Sequence, residues 1–447
     1  MEQRSFFIKT YGCQMNLRDS EIIAQILNNN GYVETSEIGG ADLVLLNTCS
    51  IRAKAEQKVM SKLGELRRNK KINPRMQICV AGCVAQQEGK QIQAKMPHVD
   101  LVIGTQYIYA INELLERSRT EGPITATNLD DKYVIPQFIP ETTGKEHEGE
   151  FRKFVTIMQG CNNFCTYCVV PYTRGREVSR SIKDIVEEIT VLVKSGIKEI
   201  TLLGQNVNSY AQTNTVTEDD TPATFSDLLR QVAAVEGLKR LRFTTSNPKD
   251  LSNDLMQCFK DLDVLCPQFH LPVQAGSNKV LKEMGRKYTV ESYLDLVTQL
   301  RENCPEIAIT TDIIVGFPGE TDEEFEETMK MLETVRYHGS FSFKYSDRPG
   351  TKANELTNKV DESVKSARLA RFQARQDEIG LERNQEYIGT TQEVLIEELR
   401  DGEIKGRMGT NHIVHAIGLT NKKPGDFLMA HVTAAGQHSL RGSIVEE

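Results

Sequence analysis

Gly160-Cys161-Asn162-Asn163-Phe164-Cys165-Thr166-Tyr167-Cys168 follows closely on the apolar, β-branched run Phe154-Val155-Thr156-Ile157. Its three thiols have C-x3-C-x2-C spacing. A structural zinc site normally takes four protein ligands, with cysteines paired as C-x2-C and a distant second pair. Three close cysteines suit a 4Fe-4S cubane, in which each thiolate takes one iron and the fourth iron stays open. An open iron is a place for chemistry. A zinc knuckle or a group of reduced thiols is the plainer alternative.

Outward from that stretch the chain alternates strands and helices. Strands are predicted at 154–159, 199–204, 240–246, 268–273, 308–316 and 339–345, with helices between them. Thr321 and Glu324 form a capping box at the head of a helix over 322–335, and Gly196 closes one over 182–195. Six β-α units make an incomplete TIM-like barrel, a partial (β/α)6, whose active site lies at the carboxyl ends of the strands. The cysteine stretch follows the first of them.

Residues 1–118 show the same alternation: strands at 5–11, 42–47, 76–81 and 101–104, and helices at 17–29, near 55–68 and at 108–117. This predicts an α/β fold with a doubly wound parallel sheet. Cys13, Cys49 and Cys83 each follow a strand, and Gly12 and Gly82 stand directly before two of them. Far apart in sequence, the three occupy the same topological position. A buried cysteine is often only a small hydrophobe, and Cys79, inside its strand, reads that way. Residues 119–150 read as a polar, Pro- and Gly-punctuated linker, with Val134-Ile135 and Phe138-Ile139 able to pack on a neighbour and His147 a solvated loop residue. The central unit spans 151–380 and ends in an arginine-rich helix over 366–384, which reads either as an RNA-facing element or as a solvated strut. Residues 381–447 read as a small all-β barrel, with strands at 393–397, 405–407, 412–416 and 427–434 before a turn-rich end holding His438 and Arg441.

The chain has 447 residues, 39% hydrophobic and 26% charged, with a net charge of -8. That length calls for two or three domains. The charge argues against coating nucleic acid by bulk attraction and leaves room for a local basic patch. No apolar run approaches the roughly 20 residues that cross a bilayer. Ten cysteines and no signal-peptide pattern at the start point to reduced thiols and a cytoplasmic protein without membrane contact.

The C-x3-C-x2-C stretch, with Tyr167 at its aromatic position, resembles that of radical S-adenosylmethionine (SAM) enzymes. Over its full length the chain resembles the radical-SAM methylthiotransferases. Thr10-Tyr11-Gly12-Cys13-Gln14-Met15-Asn16, Asn47-Thr48-Cys49-Ser50-Ile51-Arg52 and residues 160–177 look like the branch that converts N6-isopentenyladenosine beside the tRNA anticodon to its 2-methylthio derivative. Asp347 departs from the family pattern. The resemblance implies two 4Fe-4S clusters, one on Cys161, Cys165 and Cys168 that binds SAM, and an auxiliary one on Cys13, Cys49 and Cys83. It implies SAM both as methyl donor and as radical source, and a C-terminal RNA-binding TRAM module. It also implies a tRNA anticodon stem-loop as partner, an electron donor such as a flavodoxin-type protein, and a monomer.

By the resemblance, Tyr167 at the aromatic position and Gly204, Gln205, Asn206, Ser246, Gln274 and Phe317 at the ends of strands are the candidate SAM contacts, Phe317 in the stretch similar to the family's adenine-side motif. Arg174 and Arg176 are candidates for SAM or RNA phosphate, and Arg407, His438 and Arg441 for RNA. Methylthiolation of threonylcarbamoyladenosine in tRNA or of a ribosomal protein, and a non-catalytic iron–sulfur RNA-binding protein, are the alternatives.

Overall fold

The computed structural model describes residues 3–50, 53–140, 149–212 and 223–445. His147 and the Ile51–Arg52 end of the second cysteine motif lie outside the described residues.

The first unit runs β1 (Arg4–Tyr11), α1 (Gln14–Asn29), β2 (Tyr32–Glu34), β3 (Leu43–Thr48), α2 (Ala53–Ile72), β4 (Gln77–Gly82), α3 (Cys83–Lys95), β5 (Leu101–Ile103), α4 (Ile111–Glu121) and β6 (Ile124–Ala126). The sheet order is β2-β1-β3-β4-β5-β6, parallel throughout. β3 and β4 are buried at every position because helices cover both faces of the sheet. The chain turns to opposite sides of β1, so the crevice beyond β1 and β3 is the switch point where such sheets bind ligands. One feature departs from the linker reading: α4 runs to Glu121 and β6 joins the sheet. Ile135 and Phe138 are buried, as the expected packing of this stretch requires.

The second unit comprises β7 (Arg152–Thr156), β8 (Met158–Gln159), α5 (Val170–Thr173), β9 (Val178–Ser179), α6 (Ile182–Lys194), β10 (Glu199–Leu203), α7 (Phe225–Ala233), β11 (Arg240–Thr244), α8 (Asn253–Asp261), β12 (Gln268–His270), α9 (Asn278–Glu283), α10 (Val290–Asn303), β13 (Ala308–Val315), α11 (Asp322–Val335), β14 (Gly339–Lys344) and α12 (Glu362–Gln385). Two parallel triplets, β7-β10-β11 and β12-β13-β14, meet where Leu241 bridges Leu265, giving the open six-stranded barrel. The single strand expected at 154–159 is split at Ile157. Its second part, β8, pairs antiparallel with β9, so the cysteine loop is closed at its base like a hairpin. The capping box at Thr321 forms as expected.

α12 is exposed along much of its length. Its arginines are taken up by α11 and the turn before it: Arg368 binds Glu320 and Asp322 at 2.7 Å each, and Arg371 and Arg375 pair with Glu326 and Glu333.

The third unit is a closed barrel, β15 (Thr391–Arg400), β16 (Glu403–Met408), β17 (Ile413–Ile417), β18 (Phe427–Ala435) and β19 (Leu440–Ile444), in the order β15-β16-β17-β19-β18. The turn-rich end therefore supplies the fifth strand that closes it. This barrel caps the floor of the larger one. Arg242 donates to the carbonyl oxygens of Met408 (2.9 Å) and Gly409 (2.7 Å) while holding Glu199 at 3.0 Å. Arg240 donates to that of Arg407 and to Glu393. Among the described residues, no helix is long and apolar enough to cross a membrane.

His338 and His412 meet at this junction with ring centroids 5.7 Å apart. His338 Nδ1 accepts the Ile309 N–H at 3.2 Å, which fixes it neutral. Burial first, then its neighbour's charge, takes His338 down to about 3, and burial takes His412 down to about 4. Both folded values lie below the unfolded one near 6.5. Their contribution to stability is therefore complete above pH 6.5 and is lost as pH falls towards 4. We expect denaturant midpoints that are flat above pH 7 and that drop by about 2 kcal/mol per histidine between pH 6.5 and 5. A His338→Gln, His412→Gln double variant should flatten that slope, and an unchanged slope would contradict the assignment.

Candidate active site

The cysteine loop leaves β8 at Gly160, whose φ of 82° and 2.0 Å clearance from the Arg176 carbonyl oxygen to any added Cβ admit only glycine. Gln205, past the end of β10, accepts the Gly160 N–H at 2.5 Å and ties the loop to the barrel rim. The far side is held by backbone bonds from Thr166 to Met284 and from Ala353 to Thr166. Phe164 takes a φ of 47°, rare for a bulky residue, between two of the thiols. Amide N–H groups of Asn163 and Val170 point at Cys161 Sγ and Cys168 Sγ, both at 3.5 Å. Arg286, half-buried beside the loop, places Nη1 3.4 Å from Cys165 Sγ. Burial raises Cys161 and pushes Cys168 up to about 12, and in both the charge of Cys165 adds to the shift.

The second group is assembled by the parallel sheet. β1, β3 and β4 are adjacent, and their carboxyl ends lead to Cys13, Cys49 and Cys83. Two asparagines lock these ends together. Asn16 Nδ2 donates to Asn47 Oδ1 at 2.9 Å, and Asn47 Nδ2 donates to the Asn16 carbonyl oxygen and to Ser20 Oγ, each at 2.9 Å. Gly82, with φ 91°, leaves a Cβ no room beside Asn47 and Thr48. A hydrogen bond with Cys49, then Arg174 and the N–H groups at the start of α1, bring Cys13 down to about 6 despite its burial. Burial raises Cys83, opposed by Arg174.

Arg174 is the correction of most consequence. Expected to face SAM or RNA phosphate, it is 3% exposed, pairs with Asp19 Oδ2 at 2.7 Å, and bears on both Cys13 and Cys83. It comes from the loop that carries Cys161, Cys165 and Cys168, so one triad's loop reaches the other triad's thiols. Its Nη1 is buried without a partner. Arg348 adds a second tie, donating to the Ser50 carbonyl oxygen at 3.1 Å.

These donors fit iron–sulfur clusters. The ten cysteines form no disulfide, each triad has a guanidinium against it, and Nη1 of buried Arg174 has no partner. Among the described residues, no three His, Cys, Asp or Glu side chains stand close enough to hold one metal ion. A cubane asks less, since each thiolate takes a different iron and the thiols stay further apart.

The other expected residues divide. Asn206 is buried, gives Nδ2 to Asp250 at 2.7 Å, and leaves Oδ1 without a partner. Glu177, which the motif reading passed over, is pushed up to about 7 by burial; it accepts from Ser209 at 2.8 Å and leaves Oε1 without a partner. Gly204 packs tightly against Met158, and Ser246 donates to the His270 carbonyl oxygen. Thr245 (φ 71°) and Gln274 (φ 76°) are left-handed at the ends of β11 and β12, a strain typical of sites. Phe317, expected as an adenine contact, has no exposed surface; its ring stacks edge-on with Tyr345 at 5.4 Å, in the core cluster against which Tyr167 packs.

Arg176 is exposed over the Phe164 ring at 5.1 Å, and Tyr172 lies 6.2 Å from that ring. Arg407 is held by Glu397 at 2.8 Å and by Asn411, whereas His438 and Arg441 are exposed. Arg286 was also missed: nothing in Gly285-Arg286-Lys287 distinguishes it from a surface turn.

Residues 5–104 match the uncharacterized protein family UPF0004, residues 155–332 the radical SAM superfamily, and residues 385–445 the TRAM domain. The chain is 44% identical over 446 residues, covering 100% of both chains, to the tRNA-2-methylthio-N(6)-dimethylallyladenosine synthase of Thermodesulfovibrio yellowstonii. It is 46% identical over 420 residues, 94% of each chain, to the enzyme of that name from Trichlorobacter lovleyi. Among solved structures, the radical SAM methyltransferase TsrM from Kitasatospora setae, with cobalamin and a 4Fe-4S cluster bound, shares the fold. The TM-score is 0.57 at 14% identity, over 91% of this chain and 81% of that one.

Proposed function

The chain belongs to the tRNA-2-methylthio-N(6)-dimethylallyladenosine synthase family of radical-SAM enzymes, and from this we propose how its residues share the reaction. The substrate carbon is adenine C2, whose C–H no side-chain base removes near neutral pH. Cys161, Cys165 and Cys168 would hold the 4Fe-4S cluster that binds SAM, and Cys13, Cys49 and Cys83 a second. When bound, the first supplies the electron that splits SAM and opens radical chemistry at C2, and the second supplies the sulfur that is methylated and transferred.

The chain's own part is charge, position and dryness. Half-buried Arg286 and buried Arg174 place a positive charge against each thiol group, offsetting anionic clusters. The unpartnered Asn206 Oδ1 and Glu177 Oε1 give the polar ends of SAM acceptors that no protein group uses. Gln205, through the Gly160 N–H, keeps the thiol loop at the strand ends. Exposed Arg176, His438 and Arg441 offer contacts for the RNA. A flavodoxin-type donor, a monomeric state and a cytoplasmic location complete the proposal.

The observation that carries this reading is Arg174, a residue of one thiol loop lying against the thiols of the other. Its test is anaerobic turnover with SAM, reductant and an isopentenylated anticodon stem-loop, followed by nucleoside mass spectrometry. A methylthio mass gain on adenosine is expected, and its absence with intact clusters overturns the reading.

A further inference from the structure

The inner face of the open barrel carries an apolar wall that the chemistry above leaves unused. Across β13 and β14, Asp312 stands opposite Phe341 and Ile314 opposite Phe343, while on β12 His270 stands opposite Thr310. Paired residues point to the same face of a sheet. The other face is filled, with Ile313 and Val315 in the helix-packed core and Ser342 accepting from Gln373 of α12 at 3.2 Å. His270, Thr310, Asp312, Ile314, Phe341 and Phe343 therefore face the lumen.

On that face Phe341 is 61% and Phe343 54% exposed. Two neighbouring phenylalanines left this open on a barrel strand are costly unless something apolar covers them. Their surroundings are ordered. His270 meets the Phe341 ring edge-on at 5.9 Å, and its two nitrogens engage Asp312 Oδ1 at 3.4 Å and Thr310 Oγ1 at 3.0 Å. Arg242 and the Met408–Gly409 carbonyls occupy the lower end of the barrel, and the thiols lie at the opposite, carboxyl end of its strands.

We propose that Phe341 and Phe343 are the surface that receives the branched five-carbon arm on N6 of the substrate adenosine. This rests on the functional reading above and deepens it. The arm is the one wholly apolar part of the RNA substrate, and it lies on the same base as the reacting C2. The polar His270–Asp312 pair beside the rings suits the edge of the purine that carries it. An unprenylated adenosine would leave the two rings wet.

The test compares two anticodon stem-loops that differ only in the N6 prenyl group, bound anaerobically to the full-length, cluster- and SAM-loaded protein. The wild type should prefer the prenylated RNA by about tenfold or more, the scale of a small apolar group in a fitted pocket. In Phe341→Ala and Phe343→Ala that ratio should fall towards one, and Phe341→Leu should restore much of it. A ratio unchanged in both alanine variants overturns the wall, as does an equal loss of both RNAs, which would mark general stacking or misfolding. If the wild type methylthiolates the prenylated stem-loop while the alanine variants keep their preference, only the wall falls. A wild type that forms no product takes the functional reading with it.

Discussion

Cys13→Ala protein is expected to go on cleaving SAM while its yield of methylthiolated nucleoside falls by about a hundredfold or more, since even supporting groups of a metal site cost ten- to hundredfold when removed. The asymmetry follows from where the thiols are held. Cys13 opens α1 in the first unit, fastened by the Asn16–Asn47 lock, and Cys161, Cys165 and Cys168 sit on a loop closed by β8 and β9 in the second. Losing one thiol of the first group leaves the hairpin base, Gly160 and Arg286 in place. Cys161→Ala should lose SAM cleavage and product together. Anaerobic assays that quantify 5′-deoxyadenosine, methylthio nucleoside, iron and sulfide in the same samples decide the matter. Loss of SAM cleavage in the Cys13 variant would contradict the division of labour.

Glu188→Ala should destabilise the folded protein by about 3–5 kcal/mol, the usual consequence of stranding a buried charge. Glu188 has no exposed surface and serves two buried arginines: Arg18 from α1 of the first unit, and Arg180, which binds its Oε2 at 2.6 Å. Arg18 also lies over the Phe138 ring at 4.8 Å. Without the carboxylate two guanidinium groups face each other in a dry interface, and the first unit should loosen from the barrel before the barrel unfolds. Denaturant titration read together with limited proteolysis between residues 119 and 150 tests this. A loss under about 1 kcal/mol would show that water reaches the pair.

The parallel architecture was legible because buried parallel strands are written as unbroken apolar runs, as in Leu43-Val44-Leu45-Leu46, and because cysteines at strand ends stand out against them. What escaped was non-local. β6 is three half-buried residues whose strand character comes from pairing with β5, and β19 holds a glycine and a serine and becomes a strand only by closing a ring. Arg174 looks like any arginine after a loop; its burial depends on Asp19, 155 residues away. For Phe341 and Phe343 the alternation Ser-Phe-Ser-Phe gave the strand but not the exposure, which depends on how β14 stands at the barrel's edge.

The clasp of Arg240 and Arg242 on the small barrel makes that module a stopper for the larger one. With its floor covered, the larger barrel is left open at the carboxyl ends of its strands and along the seam between β7 and β14. Pulling the stopper, by deleting the last sixty or so residues, would bare the buried guanidinium groups of Arg240 and Arg242 and let water rise into the barrel from beneath.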